Sequence, residues 1–548
     1  MGDKIVRFQV RVEEGGASWG VHMVANGIVC GLDVNTRNLK IVEGLALSGG
    51  LFPAVEKGTC QIPQDIDLSG WLDVETTAKG DSVSVSINGR EIASVQDLKV
   101  RPLLGGSGMN TGSVAFGGPA GWSAVYRALA VTDLAGKELY TNELRDEEPT
   151  LSDFQVGTNH LSCTVDGAKR DRACFGGDLY VMGRSVAYST AFFEAVKGSI
   201  QLLLSHQTSD GYIGNLCPIQ APEHDGPDEP PTYAFYSLTY GLLLVVAVKE
   251  YWLHSGDHAV VQKYLEKLKT FMAFVESMAR EDGLVEAPPP LSSKRPNPHA
   301  PLPSHRATPR DSYPLKTAMP IDRKLPLGSN LPSTGSCLDV LAYANTLNLA
   351  TDACATLNTR LNQHPNHAPP AFLDIPGWDA SGVVSPYSTG FAVEALFAAG
   401  QARRALDLVR GVWGPMADPR GPNYSGAHWE AMRADGTPFN HDVSLVHGWS
   451  TWPVFLLPKY LAGLRPIEPG WSRFAVEPVF AGLELVECSL ATPAGSIHVE
   501  LRVNDVVGAA DLTLRVPVGA EAVVKAPVGW VLQGKLMFRA RNTRYTSR

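Results

Sequence analysis

Asp166–Gln207 reads DGAKRDRACFGGDLYVMGRSVAYSTAFFEAVKGSIQLLLSHQ, and the period of the apolar residues changes within it. From Arg184 onward they recur at helical spacing, and Ser209-Asp210-Gly211 ends the run. Before this stretch the chain reads as β. In Asp81–Val95 (DSVSVSINGREIASV), Val83, Val85 and Ile87 alternate with polar residues, and Asn88-Gly89 joins them to a second short apolar run. That pattern predicts a hairpin with a tight turn. Ala124–Val131 predicts another strand, and a β-sandwich over 1–140 is the simplest arrangement.

Beyond Arg184, long helices are expected at Arg184–Gln207, Tyr233–His254 and Ala259–Met278. Further ones are expected at Cys337–Leu347, Ala353–Leu361, Thr389–Ala399, Ala402–Val412 and Leu445–Leu464. Short connections favour antiparallel neighbours, so about 166–465 reads as an array of helical hairpins, within a helical domain bounded at 141–465. Pro288–Pro332 interrupts it with 12 of the chain's 39 prolines, a density that blocks helix and central strand alike. It reads as a poorly ordered insertion. After Leu464 the pattern returns to β at Phe474–Val476, Leu483–Leu490, Ile497–Val503 and Ala510–Val516, which predicts a second, smaller sandwich over 466–548.

Composition narrows the function. The 548 residues carry 47 Lys and Arg against 56 Asp and Glu, a net charge of −9, with no basic stripe, so a broad nucleic-acid face is not expected. Eight cysteines without a CxxC or a close pair argue against a zinc site and a disulfide scaffold. The N-terminus lacks the apolar core of a signal peptide as written, which by sequence alone reads as cytoplasmic. The longest apolar stretch, 233–247, falls short of the ~20 residues of a membrane span, so no membrane partner is expected.

Two clusters could carry chemistry. The first, Asp166–Asp178, has three carboxylates and three cations in 13 residues. It fits a solvated, salt-bridged loop, or a catalytic loop in which Asp171 lies between Arg170 and Arg172 with Asp166 and Asp178 on either side. A carboxyl that donates a proton near neutral pH needs burial or like-charge neighbours to hold it. The second, Asn423–Trp452, contains Trp429, Trp449 and Trp452, with histidines at 428, 441 and 447. Such a mixture suits a sugar, whose apolar face stacks on aromatic rings while carboxylates and imidazoles bond its hydroxyls, or else plain aromatic packing. The histidine spacings of 13 and 6 do not suit a metal. GxSxG and GxGxxG elements in their required contexts are absent, which leaves acyl-transfer and dinucleotide chemistry without support.

DGAKRDRACFGGDL before a long helix, then HWE at 428–430, then SLVHGWSTWPVFLLPKYLAGLRPIEPGW at 444–471, resembles the α-L-rhamnosidases of glycoside hydrolase family 78, particularly fungal members. The resemblance implies an (α/α)6 toroid flanked by N- and C-terminal β-sandwiches. It implies inverting hydrolysis of terminal α-L-rhamnosides, and neither a cofactor nor a metal is expected. Asp171 matches the general-acid position and Glu430 the general base. Asp166, Arg170, Asp178, Trp429, His447 and Trp449 fall on or beside the sugar-contacting positions. Asp171 stands where many bacterial relatives have glutamate, one methylene longer. A six-hairpin ring has 12 helices, and about eight are legible, so the ring is expected to be incomplete, or the sequence truncated. Relatives are often secreted. The alternatives are a catalytically impaired, carbohydrate-binding relative, or another toroid glycosidase such as an unsaturated-uronide hydrolase.

Overall fold

The computed structural model describes residues 2–23, 27–44, 54–100, 110–169, 171–230, 238–278, 383–433, 435–441, 443–504 and 509–526. The chain divides into two compact units, Met1–Gly157 and Thr158–Arg548.

The first unit is β-rich, as its alternation predicts. Its strands are β1 Lys4–Glu14, β2 Gly16–Met23, β3 Ile28–Asp33, β4 Asn38–Glu43, β5 Val55–Gln61, β6 Leu72–Lys79, β7 Ser82–Ile87, β8 Arg90–Val95, β9 Ser113–Gly117, β10 Ser123–Thr132 and β11 Glu138–Asn142. They form two antiparallel sheets, in the orders β11-β10-β1-β6-β7-β8 and β5-β4-β3-β2-β9. Val6, Phe8 and Val10 on one face of β1 share a core with Trp19, Val21, Cys30 and Leu32 of the other sheet. Trp19 satisfies its indole N–H there by donating to Thr76 Oγ1 at 2.9 Å. The Asn88-Gly89 turn joins β7 to β8 with φ of 50° and 77°, the backbone that a tight hairpin demands.

In the second unit the first long helix differs from the sequence expectation. Arg184–Gln207 is not one helix. It is two, α2 Gly176–Ala187 and α3 Glu194–Ser205, after a short α1, Glu148–Asp153, in the first unit. The break falls at Ser189-Thr190-Ala191. Ser189 Oγ donates back to the Ser185 carbonyl, and Ala191 turns to a φ of 53°. Local hydroxyl bonding competes with helix continuation, and apolar periodicity does not report it.

Helices α4 Leu238–Ser255 and α5 His258–Ser277 follow, with Asp257 capping α5 through the Ala259 N–H. After them come α6 Pro386–Ala398 and α7 Ala402–Ala417. The expected helices at 337–347 and 353–361, and the Pro-rich insertion, lie outside the described residues.

Leu445–Leu464 is likewise not one helix. It is a 3-10 turn at Gly448–Ser450, a short α8 Trp452–Leu456, a π turn at Leu457–Leu461, and then strand Leu464–Pro466. Pro458 has no N–H to give an α-helical bond, so the chain widens to π geometry.

The C-terminal strands form two three-stranded sheets. One contains Leu464–Pro466, Arg473–Val476 and Glu521–Val524. The other contains Leu485–Thr492, Gly495–Asn504 and Ala509–Arg515. Their apolar residues, among them Phe474, Val476, Leu490, Val499 and Leu514, join the same core as the helices. Among the described residues no helix is long and apolar enough to cross a membrane.

Candidate active site

Three stretches far apart in sequence run side by side. Asp166 closes its own loop. Its N–H donates to the Ala173 carbonyl at 3.1 Å, and its Oδ1 accepts the Ala173 N–H at 3.0 Å. The loop is laced to 444–448. The Ala168 N–H donates to the Val446 carbonyl at 3.2 Å, and the Gly448 N–H to the Asp166 carbonyl at 2.7 Å. The other side of 444–448 is bonded to 428–430. The Glu430 N–H donates to the Ser444 carbonyl at 2.8 Å, and the His447 N–H to the His428 carbonyl at 2.9 Å. The segments that carry Asp171 and Glu430 are thus separated by one strand-like stretch. Asp171 is exposed at the far end of its loop, in the left-handed region with φ 58°, which aspartate tolerates better than most residues. Glu430 is buried, and its Oε2 accepts the Ser444 N–H at 2.9 Å. Arg170 lies outside the described residues.

His447 joins the two other acidic positions. Its Nε2 is 3.5 Å from Asp166 Oδ2, and its Nδ1 is 3.7 Å from Asp178 Oδ1. All three residues are buried. Asp178 lies in the first turn of α2. Its Oδ1 and His447 Nδ1 have no hydrogen-bond partner among the described residues. Burial first, and then the adjacent Asp166 with smaller contributions from Glu430 and Asp171, pushes the Asp178 carboxyl well above the ordinary range. Asp178 therefore holds its proton at pH values where an exposed aspartate has lost it.

Aromatic rings border this group. Trp449 lies 4.5 Å from the His447 ring and stacks on Tyr387 at 5.2 Å and 24°. Tyr387 approaches Tyr240, whose ring is 6.2 Å from Phe175. Burial is the largest cause that raises the phenol pKa of both tyrosines. Gly177 permits this approach, because a Cβ there would lie 2.5 Å from Tyr240 Cε1. Sequence reading did not single out Tyr240 or Tyr387. Each sits in an apolar helical run, where a functional tyrosine and a core tyrosine look alike.

Trp429, expected to contact sugar, is 1% exposed. It packs in the core, where its backbone N–H donates to Met416 Sδ. Among the described residues Glu487, His498 and Glu500 are grouped closely enough to hold a metal. They lie on the C-terminal hairpin, apart from the residues above, and Glu500 already pairs with Arg502.

Residues 152–287 match the family model of the bacterial α-L-rhamnosidase six-hairpin glycosidase domain, and residues 463–534 match that of the bacterial α-L-rhamnosidase C-terminal domain. The chain is thus similar to a rhamnosidase glycosidase domain in the first stretch and to a rhamnosidase C-terminal domain in the second, in keeping with the resemblance read from Asp166–Leu179 and 444–471. The first match includes the Asp171 loop, whereas Glu430 lies in neither. Both models are bacterial, so they give the fungal leaning no support.

Among solved structures, a family 78 rhamnosidase of Bacillus sp. GL1 aligns at 15% identity and a TM-score of 0.44, over 100% of this chain and 53% of its own. This chain thus spans about half the length of that protein. An α-L-rhamnosidase from Dictyoglumus thermophilum aligns at 10% identity and a TM-score of 0.44, over 95% of this chain and 78% of its own. Streptomyces avermitilis α-L-rhamnosidase complexed with L-rhamnose aligns at 14% identity and a TM-score of 0.37, over 95% of this chain and 47% of its own. At these scores the superpositions set no residue equivalences. No curated protein sequence matches the chain.

Proposed function

We propose that this chain is an inverting glycoside hydrolase that releases terminal α-L-rhamnose, with Asp171 as general acid and Glu430 as general base. The helices would form an (α/α) toroid, in which the first and last hairpins meet around the sugar. The observation that carries the proposal is the lacing of the Asp171 loop and the Glu430 segment to 444–448, beside two buried polar atoms, Asp178 Oδ1 and His447 Nδ1, that lack partners among the described residues. A buried polar group without a partner is costly, and a sugar hydroxyl is a partner of the right kind.

Hydrolysis with inversion needs a protonated carboxyl that gives its proton to the leaving oxygen. It also needs an ionised carboxylate across the ring that takes a proton from the attacking water. The two are typically about 6.5–9.5 Å apart. In this assignment Asp171, exposed at the end of its loop, would meet the leaving aglycone. Buried Glu430 would take the second role. Asp178, protonated by its surroundings, would donate a hydrogen bond to a sugar hydroxyl while His447 accepts or donates another. Trp449 and Tyr387 would offer an apolar face to the ring and its methyl group.

Purified protein is expected to release L-rhamnose from an aryl α-L-rhamnoside. Asp171→Asn and Glu430→Gln should each abolish release without changing the far-UV circular dichroism, and proton NMR should show the inverted anomer as first product. Unchanged turnover in either variant removes that residue from its role. Tryptophan quenching by rhamnose without turnover identifies an impaired binder, and turnover of an unsaturated uronide alone identifies the other toroid chemistry.

A further inference from the structure

We infer that Ser444 is a positioning residue whose hydroxyl ties the loop of the general acid to the segment of the general base; the inference rests on the proposed hydrolase reading. Ser444 is 1% exposed and bonds in two directions. Its backbone holds Glu430, with the N–H donating to Oε2 at 2.9 Å and the carbonyl accepting the Glu430 N–H at 2.8 Å. Its side chain faces the other loop, where Oγ accepts the Lys169 N–H at 3.0 Å.

Lys169 is two residues before Asp171. On the far side the loop is closed by the Ala173 N–H on Asp166 Oδ1. The Lys169 and Ala173 anchors therefore bracket the three residues that include Asp171. Apart from the approach of His447 Nε2 to Asp166 Oδ2 at 3.5 Å, the other hydrogen bonds described between the loop and 444–448 are backbone to backbone. Among the described ties, the Lys169–Ser444 bond is the one nearest Asp171 that a side-chain change can remove while the two Ser444 backbone bonds to Glu430 remain.

This separation makes a selective prediction. Loosening the acid loop harms proton delivery to the leaving oxygen and leaves the base in place. A rhamnoside with a good leaving group, such as 4-nitrophenoxide, needs little protonation at the transition state. An alkyl rhamnoside needs it fully. Ser444→Ala should therefore lower kcat for an alkyl α-L-rhamnoside about tenfold, the scale of one lost positioning hydrogen bond. It should lower kcat for 4-nitrophenyl α-L-rhamnoside less than about twofold, with KM little changed for both. Ser444→Thr keeps a hydroxyl and should retain the wild-type ratio between the substrates. Equal losses on the two substrates, or no recovery of the ratio in a folded threonine variant, would overturn the role.

Hydrogen exchange gives a readout independent of turnover. In Ser444→Ala the amide of Lys169 should exchange at least tenfold faster, while that of Glu430 stays protected. Unchanged exchange at Lys169 refutes the tie. If wild-type protein hydrolyses neither substrate but exchange at Lys169 still responds, the hydrolase reading fails and the structural tie stands.

Discussion

Neutralising Glu394 tests whether a buried ion pair sets the site. Arg184 is 4% exposed, and its Nη1 lies 3.1 and 3.2 Å from the two Glu394 oxygens. Lys459 Nζ approaches the same carboxylate at 2.6 Å. The guanidinium also lies 3.8 Å over the Tyr180 ring and 4.0 Å over Phe455, so it has little water to fall back on. Burial pushes the Glu394 carboxyl up, and Arg184 and Lys459 overcome that and hold it at about 2 instead of 4.5. A difference of roughly 2.5 units at about 1.4 kcal/mol each gives roughly 3 kcal/mol for the carboxylate. Removing one partner of a buried pair costs about 3–5 kcal/mol, and Glu250 remains to offset part of it.

Glu394→Gln is therefore expected to lose about 3 kcal/mol at pH 7 in urea unfolding, about a 1 M shift in midpoint for a slope near 3 kcal/mol/M. A depressed carboxylate contributes stability that is present above its unfolded value and lost as pH falls through the folded one. The wild-type and variant curves should accordingly converge between about pH 4.5 and pH 2. The site should respond as well. Arg184 shares α2 with Asp178, and Glu394 shares α6 with Tyr387, so the pair clamps the helices that hold these two residues together. Replacing both charges, as in Arg184→Met with Glu394→Leu, should cost less than removing Glu394 alone. A loss below about 1 kcal/mol, or a difference that does not change with pH, would refute the reasoning.

The other stability predictions follow from single positions. Asp178→Asn mimics the protonated side chain. A carboxyl raised in the folded state contributes stability below its unfolded value and loses it as pH rises toward the folded one, so the variant should gain thermal stability over wild type as pH increases from 4 to 8. A constant difference across that range would show that Asp178 is not protonated in the folded protein. Gly463→Ala should cost about 3 kcal/mol in urea unfolding. Its φ is 70°, and a Cβ would lie 2.1 Å from the Glu477 carbonyl carbon, where backbone would have to move. A loss under 1 kcal/mol would mean that the chain relaxes there freely.

The local code for the β7–β8 hairpin, for β10 and for α4 to α7 is written in short windows of sequence. Val83, Val85 and Ile87 alternate because one face of a strand is buried, and Asn88-Gly89 supplies the turn that closes the hairpin. The misread stretches show where windows fail. At Ser189–Ala191 a hydroxyl bonds backward and stops the helix. At Pro453 and Pro458 the loss of two amide donors shortens Leu445–Leu464 into a turn, a helical turn and a π turn. Apolar spacing continues through both places because burial continues, although the backbone does not.

Which residue types are available for chemistry is legible in the sequence, because charge clusters, tryptophans and histidines are visible as such. It did not determine which would meet. Asp171 and Glu430 are 259 positions apart, and among the described residues long-range hydrogen bonds through Ser444, Val446, His447 and Gly448 bring their segments into register. The raised proton affinity of Asp178 and the neighbourhood of Tyr240, Tyr387 and Trp449 also belong to the tertiary structure. Desolvation and ring contact depend on what the folded chain places around a side chain, and sequence neighbours carry little of that information.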